Sequence, residues 1–239
     1  MSSVAVIRTQ VERRHPGAFT RYEAPAPGVF PTGIEAVDAQ TGGIPQGGLT
    51  QICAPLGVTS GRTTLLRSLL ARATGQEQFC ALVDASDRFD PASAAGAGVC
   101  LSRLLWIRCA ERRIQALEQA FKAADILLQN GGFGVIAVDL SAVDEASVRK
   151  IPLTTWFRFS RVLEKTPAAL VVLMAHPAAQ SCAALTLHLG HAHPLWEGEG
   201  RSHGRILSGV EFASEIARAR GKKPVQNAST HFTARPRWA

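Results

Sequence analysis

Mostly apolar runs recur along the chain at Leu49-Thr50-Gln51-Ile52-Cys53, Phe79-Cys80-Ala81-Leu82-Val83-Asp84, Leu104-Leu105-Trp106-Ile107, Val135-Ile136-Ala137-Val138-Asp139 and Leu170-Val171-Val172-Leu173-Met174. A strand buried on both faces reads as such a continuous run, whereas a half-exposed strand alternates. Between the runs the apolar period lengthens to that of a helix. Leu65, Leu66, Leu69 and Leu70 form one stripe, residues 92–98 are small enough for a second helix, and Ile114, Leu117, Phe121, Ala124 and Leu128 share one face of a third. Gly131-Gly132 stops that helix, and residues 146–164 predict another. Strand and helix in alternation imply right-handed crossovers and a mostly parallel sheet covered on both faces. Past His176 the helices cease, and residues 184–189 and 206–216 alternate like strands that extend the sheet as antiparallel, hairpin-like additions. The fold class expected is α/β.

The two ends have a different texture. Residues 4–14 fit a short helix, and Pro16, Gly17, Pro25, Pro27 and Gly28 fit a linker, so 1–28 reads as an N-terminal arm. A core domain is expected over 29–224. Residues 225–239 read as a flexible basic tail, with Trp238 beside Arg235 and Arg237 as a candidate docking anchor. Lys and Arg number 26 against 19 Asp and Glu in 239 residues, a net charge of +7. That balance is compatible with a polyanionic partner such as nucleic acid. The five cysteines are odd in number and contain no C-x-x-C pair, which fits free thiols in a reducing cytosol. No run reaches membrane-spanning length and none has signal-peptide form, so a cytoplasmic protein without a membrane partner is expected.

The first apolar run leads through Leu56-Gly57-Val58-Thr59-Ser60-Gly61-Arg62-Thr63-Thr64 into the leucine stripe. A glycine loop between strand and helix is a place for phosphate, because loop amides and the unpaired donors of the first helical turn converge there. The full signature G-x-x-x-x-G-K-[ST] puts a lysine on the outer phosphates and a hydroxyl on magnesium. Here Gly61 and Thr63 hold their places, Arg62 stands at the lysine position, and the first glycine is displaced from position 56 to Gly57. Candidate ligand-binding residues are Gly57, Thr59, Ser60, Gly61, Arg62, Thr63 and Thr64. On a strand His191 and His193 share one face and His188 the other, so even with Glu197 and His203 nearby fewer than three ligands converge, and no metal site is expected beyond magnesium at Thr63 and Asp139.

From Val29 to Pro224 the chain resembles the RecA-like recombinase core. The resemblance is carried by Thr32-Gly33 with Asp38, by Gly42-Gly43-Ile44-Pro45-Gln46-Gly47, by Ala81 to Ala85 followed by Phe89-Asp90-Pro91, and by the acid-ended Val138-Asp139. Within that superfamily it is most similar to the ImuA family of RecA-like accessory proteins, and more distantly to the division inhibitor SulA. The resemblance implies that Asp139 orients magnesium and that Asp90 lies on the adenine side. It also puts Ser86 where recombinases carry the glutamate that activates water, Ser93 where an aromatic stacks on adenine, and His176 at the sensor position. Serine cannot act as a carboxylate base. Asp87 is the adjacent substitute, and Asp139, Asp87 and His176 are the catalytic candidates if hydrolysis occurs.

In the recombinases two DNA loops follow the acid-ended and sensor strands. Here Leu140 to Thr166 is largely helical and Pro177 to Ser181 is short. Arg149, Lys150, Arg158 and Arg161, interleaved with Trp156, Phe157 and Phe159, are DNA-binding candidates. The alternative is aromatics in the core and arginines on a solvated face. Arg218 and Arg220, with Lys222, Lys223 and Pro224, match basic residues that reach a neighbouring subunit in recombinase filaments, and so are partner-binding candidates. The function implied is an accessory role in the DNA-damage response and translesion synthesis (SOS mutagenesis), cytoplasmic and nucleoid-associated. The implied partners are RecA, ImuB-like polymerase components and single-stranded DNA, with ATP and Mg2+ weakly bound. Two other readings stay open: a DNA-stimulated ATPase using Arg62, Thr63, Asp139 and Asp87, and a noncatalytic SulA-like division inhibitor.

Overall fold

Strands whose every residue is buried must lie inside a sheet, and four of the runs do so. A computed structural model of the chain describes residues 28–109, 113–198, 204–220 and 229–234. In chain order the elements are β1 (Val29–Phe30), α1 (Glu35–Thr41), β2 (Ile44–Pro45), β3 (Gly48–Cys53), α2 (Arg62–Gly75), β4 (Cys80–Asp84), α3 (Pro91–Gly96) and β5 (Leu104–Arg108). They continue with α4 (Arg113–Asn130), β6 (Val135–Asp139), α5 (Glu145–Arg149), α6 (Leu153–Leu163), β7 (Ala169–Met174), β8 (Ala183–Glu197), β9 (Ile206–Ala219) and β10 (Ser229–Ala234). An eight-stranded sheet runs in the order β10-β9-β8-β3-β7-β6-β4-β5, and β1 and β2 form a separate antiparallel pair. Every residue of β3, β4, β6 and β7 is buried.

Side chains alternate across the sheet and make two cores. On one face Ile52, Leu82, Ala137 and Leu173 meet Leu65, Leu66, Leu69 and Leu70 of α2. On the other Leu49, Val83, Val138 and Val172 meet Ala120, Ala124 and Leu128 of α4 and Trp156, Phe159 and Leu163 of α6. The lead-in Thr32-Gly33 is structural: the Asp38 carboxylate accepts from Thr32 N at 2.7 Å and Gly33 N at 3.2 Å, holding the turn before α1.

Three features differ from the sequence expectation. Residues 146–164 form two helices, because Pro152 lacks an amide hydrogen and is extended at the entrance of α6 (ψ 140). Strand β8 is parallel to β3, with Leu49 opposite Ala183, and antiparallel only to β9. Residues 229–234, expected within a flexible tail, are a strand: β10 pairs antiparallel with β9 from Ser229↔Glu215 to Ala234↔Val210, with Phe232 buried. The helix expected over 4–14, together with His203, Lys222, Lys223, Pro224 and Trp238, lies outside the described residues.

The return from β7 to β8 is unusually short. A crossover between parallel strands commonly takes a dozen residues or more; here residues 175–182 suffice. They are pinned over β3 by Gln51, whose Oε1 accepts from Ala178 N and Ala179 N, both at 2.8 Å, and whose Nε2 donates to Thr186 Oγ1 at 3.0 Å. The side chain is 1% exposed. Nothing in the composition of the run Leu49 to Cys53 singled it out, although a lone glutamine inside a buried strand is a signal that a partner must exist.

Candidate functional site

The glycine loop stands at the carboxyl end of β3, where open α/β sheets collect their ligands. Gly57 and Gly61 both adopt φ 74, a region closed to most side chains. Gly61 caps the start of α2 without a side-chain hydrogen bond, so the first-turn amides of that helix have no side-chain acceptor at the cap. Beside the loop lies a cavity of about 400 Å³ lined by Gly57, Val58 and Thr59 of the loop, by Arg62 and Arg88, and by Ser141 and Ala142 after β6. Gly57, Thr59 and Arg62 of the expected set thus share one cavity. Ser60 and Gly61 are buried, Thr64 is half-buried, and the Thr63 side chain is exposed at the first turn of α2.

Arg62 has turned into the fold. Its Nη1 donates to Ala54 O at 2.8 Å and to Met174 O at 2.9 Å, tying the carboxyl ends of β3 and β7, and the residue is 8% exposed. Burial lowers its pKa from the ordinary guanidinium value, and the Asp139 carboxylate works in the opposite direction. A guanidinium spent on two carbonyls serves as a strand staple, with less of its fork left for phosphate.

Asp139 is likewise engaged. Its Oδ1 accepts from Ser141 N at 2.8 Å and Ser86 Oγ at 3.1 Å. Ser86 Oγ also lies 3.3 Å from Ser141 Oγ and accepts from Ala142 N at 3.0 Å. Ser86, at the position of the missing glutamate, therefore knots the ends of β4 and β6 together. Burial raises the Asp139 pKa above the ordinary carboxylate value, against hydrogen bonds from Ser141 and Ser86 that lower it. Asp84, fully buried on the neighbouring strand, accepts from Ser86 N, Arg88 N and Phe89 N.

The other candidates are dispersed. The Asp87 carboxylate receives Arg108 in a two-pronged pair, Nε at 2.8 Å and Nη2 at 2.9 Å, which lowers its pKa and makes it a weak base. Asp90 caps α3 through Ala92 N and Ser93 N, and also receives the Ser93 hydroxyl. His176 Nε2 lies 3.3 Å from Glu145 Oε2 at the end of β7. Arg149 pairs with Glu145, and Arg158 with Asp125 at 3.3 Å. Lys150 and Arg161 are exposed; of the interleaved aromatics, Trp156 and Phe159 are core and Phe157 is exposed. Arg218 Nε donates to Ala183 O at 3.3 Å and Arg220 Nη1 to Glu164 Oε1 at 3.3 Å, at the end of the sheet opposite the loop. Arg88 was overlooked in the sequence, where it is one arginine among many; what marks it is the preceding Asp84, which folds the turn that brings it to the cavity.

The residues present fit an anion better than a working magnesium centre. Loop amides, Arg62 and Arg88 are donors or cations, whereas Asp139 has one carboxylate oxygen, Oδ1, occupied by Ser141 N and Ser86 Oγ. Among the described residues no cluster of His, Cys, Asp or Glu could hold a metal ion, and no helix is long and apolar enough to cross a membrane.

Comparison with known proteins matches residues 23–149 to the RecA N-terminal domain. The chain is 38% identical over 113 residues to Protein RecA of Ectopseudomonas oleovorans, covering 46% of this chain and 30% of that protein. It is 36% identical over 113 residues to Protein RecA of Methylococcus capsulatus, with the same coverage. With Protein RecA of Acidothermus cellulolyticus it shares 35% over 136 residues, 54% of this chain and 37% of that protein. The chain thus covers roughly a third of the length of these relatives. The matched segment includes the loop and Asp139 and ends before α6, so β7 to β10 lie beyond it.

Proposed function

Because the chain belongs to the RecA N-terminal domain family, we propose that it is a RecA-like accessory protein of the bacterial DNA-damage response, of the ImuA type, that regulates rather than performs strand-exchange chemistry. Its partners on this reading are RecA itself, single-stranded DNA and the ImuB-like components of a translesion polymerase assembly. The observation that carries the reading is the fate of two positions. Arg62, at the phosphate lysine, commits its Nη1 to two carbonyls, and Ser86, at the water-activating glutamate, is held in hydrogen bonds internal to the fold. On this reading ATP binds weakly through the loop amides and Arg88, magnesium finds the exposed Thr63 hydroxyl and an Asp139 whose Oδ1 is already engaged by two serines, and hydrolysis is slow or absent.

The supporting observations extend beyond the site. The eight residues 175–182 leave no room for a mobile DNA loop between β7 and β8, and Arg218 and Arg220 remain on an exposed strand end for contact in trans.

The test is phosphate release from ATP by RecA on single-stranded DNA while this protein is titrated in, with a control lacking RecA. The expected result is a fall in RecA turnover and silence from the protein alone. Turnover by the protein alone, abolished in Asp139→Ala, would establish a DNA-stimulated ATPase instead. Silence in both, with no affinity for RecA or DNA, would leave a division-inhibitor type of interaction module. Alanine at Arg218 and Arg220 should weaken RecA binding; unchanged binding would remove those residues from the interface.

A further inference from the structure

The glycine loop is held from outside its own strand-loop-helix unit. Thr59 O accepts a hydrogen bond from Ala192 N of β8 at 2.7 Å. Two residues on, Gly61 lies against the Phe212 ring of β9 so closely that a Cβ there would fall 2.6 Å from Cδ1 and 2.7 Å from Cγ. Phe212 is 4% exposed and stacks on Phe232 of β10 with centroids 5.1 Å apart and rings 29° from parallel. These residues form one row of the sheet: Ala192 is opposite Phe212, and Phe212 is opposite Phe232.

A register shift between Leu189 and Ala192 falls immediately before this row. Bulges of this kind bend a strand and re-aim its groups. Beyond the row the hairpin continues to Glu197 and Ile206 and carries exposed Leu195, Trp196 and Ile206. Gly61 therefore does two things. It supplies the positive φ at the start of α2, and its missing side chain lets an aromatic ring from another part of the sheet rest on the loop backbone.

We infer that the row Ala192–Phe212–Phe232 is a clamp that sets the conformation of the glycine loop, so that loop occupancy and the position of the distal β8–β9 hairpin are thermodynamically linked. The linkage rests on the reading of the loop as a ligand site; the clamp itself does not. Linkage is reciprocal: a ligand that orders the loop protects the row, and whatever displaces the hairpin loosens the loop. The site is thereby regulated through β8 to β10, elements outside the segment matched to the RecA N-terminal domain.

Hydrogen exchange on the full chain tests this. In Phe212→Ala the amides of residues 56–66 should exchange about ten-fold faster or more, while β6 stays as protected as in the parent protein. Phe212→Leu, which keeps apolar bulk and loses the ring, should fall between and serves if the alanine variant fails to fold. Unchanged exchange in the loop of whichever variant folds overturns the clamp. In a second arm, ADP added to the parent protein should slow exchange both in residues 56–66 and in the row. Protection of the loop without the row overturns the linkage. If ADP protects neither, the ligand reading of the loop fails and takes the linkage with it, while the mutant arm still decides the clamp.

Discussion

Arg62 shows how one side chain can be moved from chemistry to structure. Removing a buried guanidinium that donates to two carbonyls strips Ala54 O of its charged donor and leaves Met174 O with the Ala54 amide alone, and charged hydrogen bonds of this kind are the costly ones to lose. Arg62→Ala should therefore lower stability by about 2–4 kcal/mol in urea unfolding, and Arg62→Lys should restore neither the full stability nor ATP turnover. Cys53 sits beside it. Burial pushes its thiol up to about 12 and that of Cys80 up to about 11, from an ordinary value of 9.0. A folded pKa above the unfolded one means stability that is present below pH 9 and lost as pH rises from 9 toward 12. Each thiol should contribute a fall of about 1.4 kcal/mol per pH unit once the unfolded chain ionises. Denaturant midpoints measured from pH 8 upward should show this decline, and Cys53→Ala should flatten part of it. In the native protein at pH 8 a thiol reagent should label exposed Cys100, whose pKa is lowered by the Ser102 hydroxyl, well before Cys53 or Cys80.

At the scale of elements the decisive interaction is again made by a single residue. Gln51→Leu keeps volume but strands the amides of Ala178 and Ala179. A loss of about 2–4 kcal/mol is expected, with faster exchange confined to residues 175–182; an unchanged crossover would mean that length alone holds it. The core strands were legible because burial on both faces leaves an unbroken apolar run, and α2 and α4 were legible from their stripes. What could not be read were features decided by tertiary partners. Pro152 splits a region whose apolar period is continuous, since Val148 of α5 and Phe159 of α6 face the same core. The pattern of β8 states that it is a strand but not which neighbour it takes; it lies parallel to β3 in spite of the short crossover, which Gln51 holds in place. β10 hid in a polar stretch because an edge strand needs few buried residues, and Phe232 is the apolar side chain it sends into the core while its backbone pairs with β9. In the site, the loop and the acid-ended strand announced themselves; the serine knot did not, because a serine beside an aspartate is common and acquires meaning only when two strand ends bring them together.

For the whole molecule, net charge and surface pairing decide where a polyanion could dock. Arg149 and Arg158 already have acidic partners, which leaves exposed Lys150 and Arg161 as the stronger electrostatic anchors on that face. If single-stranded DNA binds there, charge reversal at both should weaken binding at all sequences. It should also reduce the slope of log affinity against log salt by about 0.7 for each phosphate that is no longer neutralised; an unchanged slope would place the DNA elsewhere. The sheet order has a temporal meaning as well. β3, which carries the glycine loop, is paired only by β7 and β8, so that Gly48 waits for Ala169 and Leu49 for Ala183. On a ribosome adding 5–20 residues per second, the first wait lasts roughly 6–24 s and the second roughly 7–27 s. β4 and β6 come together much sooner, so the half of the sheet without the loop takes shape first. On that order the strand that carries the loop is the last of the four buried strands to gain both neighbours, and the hairpin that rests on the loop is made later still.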